Sequence, residues 1–117
     1  MSKTYETKEF GTKPYLQTHY YKCMEDDLFE YIPNMLESFD LKLLNINEEY
    51  KEITAYNDLY DVTFKIFMFK PGETSVDLFI DSRFLFDFGK TRKVILSMFN
   101  EIAKKYELLG LSLHKER

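Results

Sequence analysis

The chain has 117 residues, 44% of them hydrophobic, and a net charge of −4. That length suits one domain, 1–117, able to bury a core without staples; a single cysteine, Cys23, excludes an intrachain disulfide. Neither a signal-peptide core nor an apolar run of about 18 residues is present, which predicts no membrane span and a cytoplasmic location, and the acidic balance argues against general affinity for nucleic acid.

Residues 1–13 are polar and predict a loose N-terminal arm, with a turn near Gly11 and Pro14. Tyr15–Cys23, rich in Tyr and Thr, predicts a strand. Glu25, Asp26 and Asp27 predict a helix start, because carboxylates suit the positive end of a helix dipole. Leu28, Phe29, Ile32, Met35, Leu36 and Phe39 continue that helix at 3.6-residue spacing. Pro33 lies inside the pattern and predicts a bend or a restart. Leu41–Ile46 and Tyr50–Tyr56 predict short strands around the turn Asn47-Glu48-Glu49. Asp61–Lys70 and Thr74–Phe86 predict the two long strands, joined at Pro71-Gly72-Glu73. Thr91–Leu109 predicts the second helix, with Ile95, Met98, Phe99, Ile102, Tyr106 and Leu109 as its stripe and Gly110 as its C-cap. Residues 111–117, with His114, read as a short tail.

The order is β-α-β-β-β-β-α. Consecutive strands joined by short turns predict an α+β two-layer sandwich: a curved antiparallel five-stranded sheet with two helices on one face. Val62, Phe64, Ile66, Met68, Val76, Leu78, Ile80, Phe84 and Phe86 are its predicted floor. Across roughly residues 15–110 this order is similar to one repeat of the TATA-binding-protein-like fold and to small helix-grip domains. The resemblance rests on element order, matches no motif residue, and implies a fold rather than a role.

The opposite sheet face is predicted from the two-residue alternation of the strands. His19, Tyr21, Glu52, Thr54, Tyr56, Thr63, Lys65, Phe67, Phe69, Asp77, Phe79, Asp81 and Arg83 fall on it. Nine Tyr and eleven Phe exceed what two helices can cover, so rings interleaved with charges on this face predict a contact surface. Tyr21, Tyr56, Lys65, Phe67, Phe69, Phe79 and Arg83 are the candidate interaction residues. A second copy of the chain or another protein is the expected partner, since in a two-fold dimer the patch faces itself. The alternative is a carrier that holds a small apolar ligand between the sheet and the C-terminal helix. The adaptable side chains of Met35, Met68 and Met98 favour it.

Charge is unevenly placed. Residues 1–89 hold nine Lys/Arg against seventeen Asp/Glu; residues 90–117 hold seven against three. Glu52, Asp77 and Asp81 on the ring-bearing face argue against nucleic acid there. Lys90, Arg92 and Lys93 open the last helix and are a candidate anion contact, with Asp87 and Glu101 near enough in sequence to neutralise them.

Catalytic signals are thin. Gly89-Lys90-Thr91 lacks the earlier glycine of a phosphate loop, a position occupied by Phe84. His19 and Cys23 fall short of the four ligands of a closed zinc site and lack an orienting third group. Asp77 and Asp81 sit about 13 Å apart on an extended strand, too far to share a proton. The sequence therefore reads as a non-enzymatic binding module with no metal and no cofactor.

Overall fold

The computed structural model describes residues 3–112. Its elements are β1 (Lys3–Glu6), β2 (His19–Tyr21), α1 (Glu25–Met35), β3 (Lys42–Asn47), β4 (Glu52–Tyr56), β5 (Tyr60–Lys70), β6 (Glu73–Ser82), α2 (Lys90–Ala103) and β7 (Leu108–Leu111). One antiparallel sheet runs β3-β4-β5-β6-β2-β7, and β1 also pairs with β6. The α+β class and the two helices agree with the sequence reading. The strand count is seven rather than five.

The two added strands come from the chain ends. The segment read as a loose arm contains β1, held in register from Lys3 opposite Ser82 to Glu6 opposite Phe79. The predicted helix 91–109 stops at Ala103, where the Lys104 amide caps the last turn. Leu108–Leu111 then pairs with β2, so Leu109 belongs to a strand and Leu111 is no tail residue. Tyr106 and Leu109 continued the helical spacing by coincidence; no Gly or Pro intervened before Gly110 to mark the break. His114 and the rest of the predicted tail lie outside the described residues.

The long strand β6 organises the sheet. One edge pairs with β5 along most of its length. The other edge is shared: its C-terminal half takes β1 and its N-terminal half takes β2. β1 and β2 are thus two halves of one strand line, interrupted by a detour. The Thr7 amide still donates to the Leu78 carbonyl (2.9 Å), and then the chain leaves. Lys8 N to Leu16 O (3.1 Å) and Thr18 N to Lys8 O (3.3 Å) close the neck of the detour. Within it, Pro14–Leu16 forms a 3-10 turn where a strand is expected. Gly11 is required there, because a Cβ would lie 1.9 Å from the Leu16 carbonyl oxygen.

The inner face of the sheet is built as the alternation predicts. Val62, Phe64, Ile66, Val76, Leu78 and Ile80 are buried, together with Leu28, Ile32 and Met35 of α1 and Ile95, Met98, Phe99 and Ile102 of α2, in one cluster. At the start of α1 the Met24 amide donates to the Asp27 carboxylate (2.9 Å), which satisfies an otherwise unpaired helix-end donor. The helix passes through Pro33 and tightens into a 3-10 turn at Leu36–Phe39. Of the other three predicted floor residues, Met68 is only half-buried, near the end of β5 and outside that cluster, and two lie off the sheet. β6 ends at Ser82, so Phe84 is half-buried beside the core and Phe86 is 62% exposed.

Candidate functional site

The sheet register fixes where each candidate residue sits. On the outer face Glu52, Lys65 and Asp77 form one cross-strand row, and Thr54, Thr63 and Phe79 the next. Tyr56, Asp61 and Asp81 form a third. Phe67 and Phe69 lie beyond the first row, 65% and 45% exposed. Tyr56 is opposite Asp61, six residues and about 20 Å along the strand from Phe67. Phe79 is opposite Thr63, about 13 Å from Phe67, and is half-buried. The rings therefore stand at separate places on a face whose middle is polar, not in one continuous patch.

Two candidates leave that face. Arg83 follows β6 and straps the β4–β5 turn: Nη2 donates to the Asn57 carbonyl (2.6 Å) and to Asp61 Oδ1 (3.1 Å). Tyr21 is fully buried, and its hydroxyl donates to the Phe99 carbonyl (3.0 Å). The register of β2 against β6 turns His19 and Tyr21 inward and Tyr20 outward. All three residues are buried, because Glu9 of the detour covers Tyr20 by accepting its hydroxyl. A His-Tyr-Tyr strand covered on both faces offers no polar alternation from which its inner side could be read.

The titratable groups near β2 are built for inertness. His19 stacks on Phe99 with ring centroids 3.5 Å apart and planes 4° from parallel. Burial lowers its pKa to about 4, against a backbone contact with Gln17 O that favours the charged form. The ring is neutral at pH 7, with Nδ1–H donating to Gln17 O (2.8 Å). Burial, and then Asp27, push the Cys23 thiol up to about 11, which leaves no thiolate for nucleophilic work. Asp77 sits at the seam between β1 and β2. The Thr7 and Thr18 hydroxyls both donate to its Oδ1, at 2.7 and 2.8 Å. Burial pushes its carboxyl up, and those two hydroxyls pull it back. Among the described residues no three His, Cys, Asp or Glu side chains converge as a metal site would need.

A concavity lies elsewhere. A cleft of about 730 Å³ opens between α2, the 3-10 turn after α1 and the β4–β5 turn. Its apolar wall is Phe39, Tyr56, Leu59, Tyr60, Phe84 and Val94. Asp40, Lys42 and Asp58 stand exposed on it, and among the described residues none of the three makes an ion pair. Asn57 rigidifies one side: its Oδ1 accepts the Leu59 and Tyr60 amides (2.8 and 2.9 Å), and its Nδ2 donates to the Phe39 carbonyl (3.3 Å). Of these wall residues only Tyr56 was a candidate from sequence. The available signal was Leu59, an apolar residue set directly behind the Asn57-Asp58 turn and outside either stripe.

The basic cluster keeps its charge. Lys90, Arg92 and Lys93 are exposed in the first turn of α2. Glu101 pairs instead with Lys104 (3.2 Å). Asp87 is occupied by Thr91, whose amide (3.1 Å) and hydroxyl (2.6 Å) donate to it, and by the Tyr5 hydroxyl (2.9 Å). Partial burial works against the Asp87 anion, but these donors hold its carboxyl below the usual range.

Comparison with protein-family models, with curated proteins and with solved structures gives no match to this chain.

Proposed function

We propose that this protein is a non-enzymatic binding module whose occupant is a small, largely apolar molecule held in the cleft between α2 and the end of the sheet. The observation that carries this reading is the cleft itself: about 730 Å³ walled by four rings, Phe39, Tyr56, Tyr60 and Phe84, with Leu59 and Val94. That volume lies within the range of small-molecule sites, roughly 300–1,000 Å³, which combine apolar walls with a few polar groups. Asp40, Asp58 and Lys42 favour a ligand with an apolar body and a polar end. The methionines are not the argument, since Met35 and Met98 are core residues and Met68 does not line the cleft. The likeness in element order to helix-grip domains agrees with a sheet-and-helix cleft but adds no role of its own.

Native mass spectrometry of the protein purified from cells tests the proposal. The expected result is a retained small molecule, or uptake of 8-anilinonaphthalene-1-sulfonate that Val94→Trp weakens about tenfold by filling the cleft. A clean apo mass together with dye binding equal in wild type and Val94→Trp overturns it.

A second reading rests on Phe67 and Phe69 beside Lys65 at the end of the β5–β6 hairpin. Exposure of both rings favours a protein contact there, with a homodimer as its simplest form. Light scattering distinguishes it: a dimer that survives Phe67→Asp with Phe69→Asp uses another surface.

A further inference from the structure

The segment between β6 and α2, Arg83-Phe84-Leu85-Phe86-Asp87-Phe88-Gly89, is the most apolar exposed stretch among the described residues. Leu85 is 87% exposed, Phe86 62% and Phe88 86%. The rings are not loose. Asp87, between them, is tied to α2 and to β1 through Thr91 and Tyr5. Holding Asp87 inward turns its neighbours outward, and the rings of Phe86 and Phe88 stack with centroids 5.9 Å apart.

Phe88 also has φ +46, a left-handed backbone that disfavours a bulky side chain. Such strain persists where the surrounding structure over-determines it, and it gathers at functional places. Here it presents to solvent an aromatic ring stacked on Phe86, which is itself mostly exposed.

The next residues along the chain supply the charge. Lys90, Arg92 and Lys93 follow within one turn of α2, exposed, and among the described residues none is in an ion pair. Cations at a helix N-terminus oppose the dipole, so their placement is not explained by helix stability. Lys90 lies over the Phe84 ring (5.6 Å) and Arg92 over the Tyr15 ring (5.4 Å), contacts that leave both charges without a counter-ion among the described residues. Exposed Phe and Leu bordered by such Lys and Arg match an anionic bilayer surface. The rings enter the boundary between headgroups and acyl chains, and the cations meet the lipid phosphates and carboxylates. The form of the segment favours lipid over protein. It is a finger of side chains on an irregular loop, whereas a protein hot spot is a packed patch that excludes water around a central anchor. The acidic body does not forbid the approach, because charge beyond about 8 Å is screened at physiological salt.

We propose that the Leu85–Phe88 loop and the first turn of α2 form a docking surface for an anionic lipid bilayer, with Leu85, Phe86 and Phe88 inserted and Lys90, Arg92 and Lys93 at the headgroups. The contact is peripheral: no helix among the described residues is long and apolar enough to cross a membrane. It does not require the cleft to be occupied, although Phe84 both begins the loop and lines the cleft wall.

Sedimentation of the full chain with phosphatidylcholine vesicles, with and without phosphatidylserine, tests this surface. Binding is expected to the phosphatidylserine vesicles and to fall with added salt. Phe86→Ala with Phe88→Ala should lower it about tenfold or more, and Lys90→Gln with Lys93→Gln about fivefold per charge. Circular dichroism should show both variants folded. Absence of wild-type binding to phosphatidylserine vesicles at low salt overturns the proposal. So does binding that the ring substitutions leave unchanged. If vesicles fail to bind but light scattering shows a dimer that Phe86→Ala with Phe88→Ala dissolves, the surface is a protein interface and the lipid assignment is wrong.

Discussion

Two short aromatic segments of this chain, His19–Tyr21 and Phe84–Phe88, have opposite fates. The first is buried at every residue. It gains β6 on one side, β7 on the other, α2 beneath and the Glu9 segment above. The second leaves the sheet where β6 ends, and two of its three phenylalanines point into solvent. Each segment carries three rings. What differs is whether neighbouring backbone exists to pair with, so burial here follows pairing rather than hydrophobicity. Roughly half of a folded surface is apolar in any case, and the placement of exposed rings carries more information than their number.

Substitutions at the two segments should separate them widely. Tyr21→Ala is expected to cost about 3–5 kcal/mol, the range for emptying a buried ring site, while Phe86→Ala should stay within about 0.5 kcal/mol. Urea unfolding midpoints measure both; equal losses would show that the loop packs in solution and would erase the contrast.

The buried segment also carries a pH signature that the exposed one lacks. The pKa of His19 is lowered to about 4 by burial, against an ordinary value of about 6.5 in the unfolded chain. The unfolded state then binds the proton more readily. The associated stability is complete above about pH 6.5 and drains away toward pH 4, amounting to about 3 kcal/mol in all. Unfolding midpoints measured across that window should show a slope that His19→Phe, which keeps a ring against Phe99, reduces. An unchanged slope would place the titration elsewhere.

The smallest expected effect lies in the loop. Phe88→Asn removes a bulky side chain from left-handed backbone, a region that asparagine tolerates, and should stabilise the fold by about 0.5–1 kcal/mol. Calorimetry should show a melting temperature higher by a few degrees. The same variant should bind phosphatidylserine vesicles less well, so stability and surface contact would move in opposite directions. A loss of stability would mean that the stacking on Phe86 outweighs the backbone strain.

Much of the inner architecture was legible in the chain. The Val62–Ile66 and Val76–Ile80 alternations and the stripes Leu28–Met35 and Ile95–Ile102 announced their partners, because apolar periodicity is imposed by a face that must be covered. The termini were not. Lys3–Glu6 is polar and pairs along one edge only, so its backbone decides its state and its side chains are silent. Leu108–Leu111 was hidden behind a helical spacing that outlasted the helix. At the candidate site, the Lys90–Lys93 cluster was visible, but its freedom from Asp87 was not, since that depends on the orientation of Thr91 and on Tyr5 from a distant strand. The cleft was the least legible feature, because Phe39, Leu59, Phe84 and Val94 come from four separate segments and meet only through the topology.

The divided strand line along β6 has a bearing on how the molecule assembles. Thr7 meets Asp77 across seventy positions, and the neck at Thr18 and Lys8 is stitched to Ser112 near the other end of the described chain. β1 is synthesised before the hairpin β5–β6 and must wait for that hairpin to exist before it finds a place. Until then the far edge of that hairpin stands open to any extended chain that arrives. In a crowded cell the natural rival for that vacancy is the same segment of a neighbouring copy. Exchange of the first strands between molecules is therefore the misassembly this topology invites, and the small latch of Thr7, Thr18 and Ser112 is what would favour the home strand over the visitor.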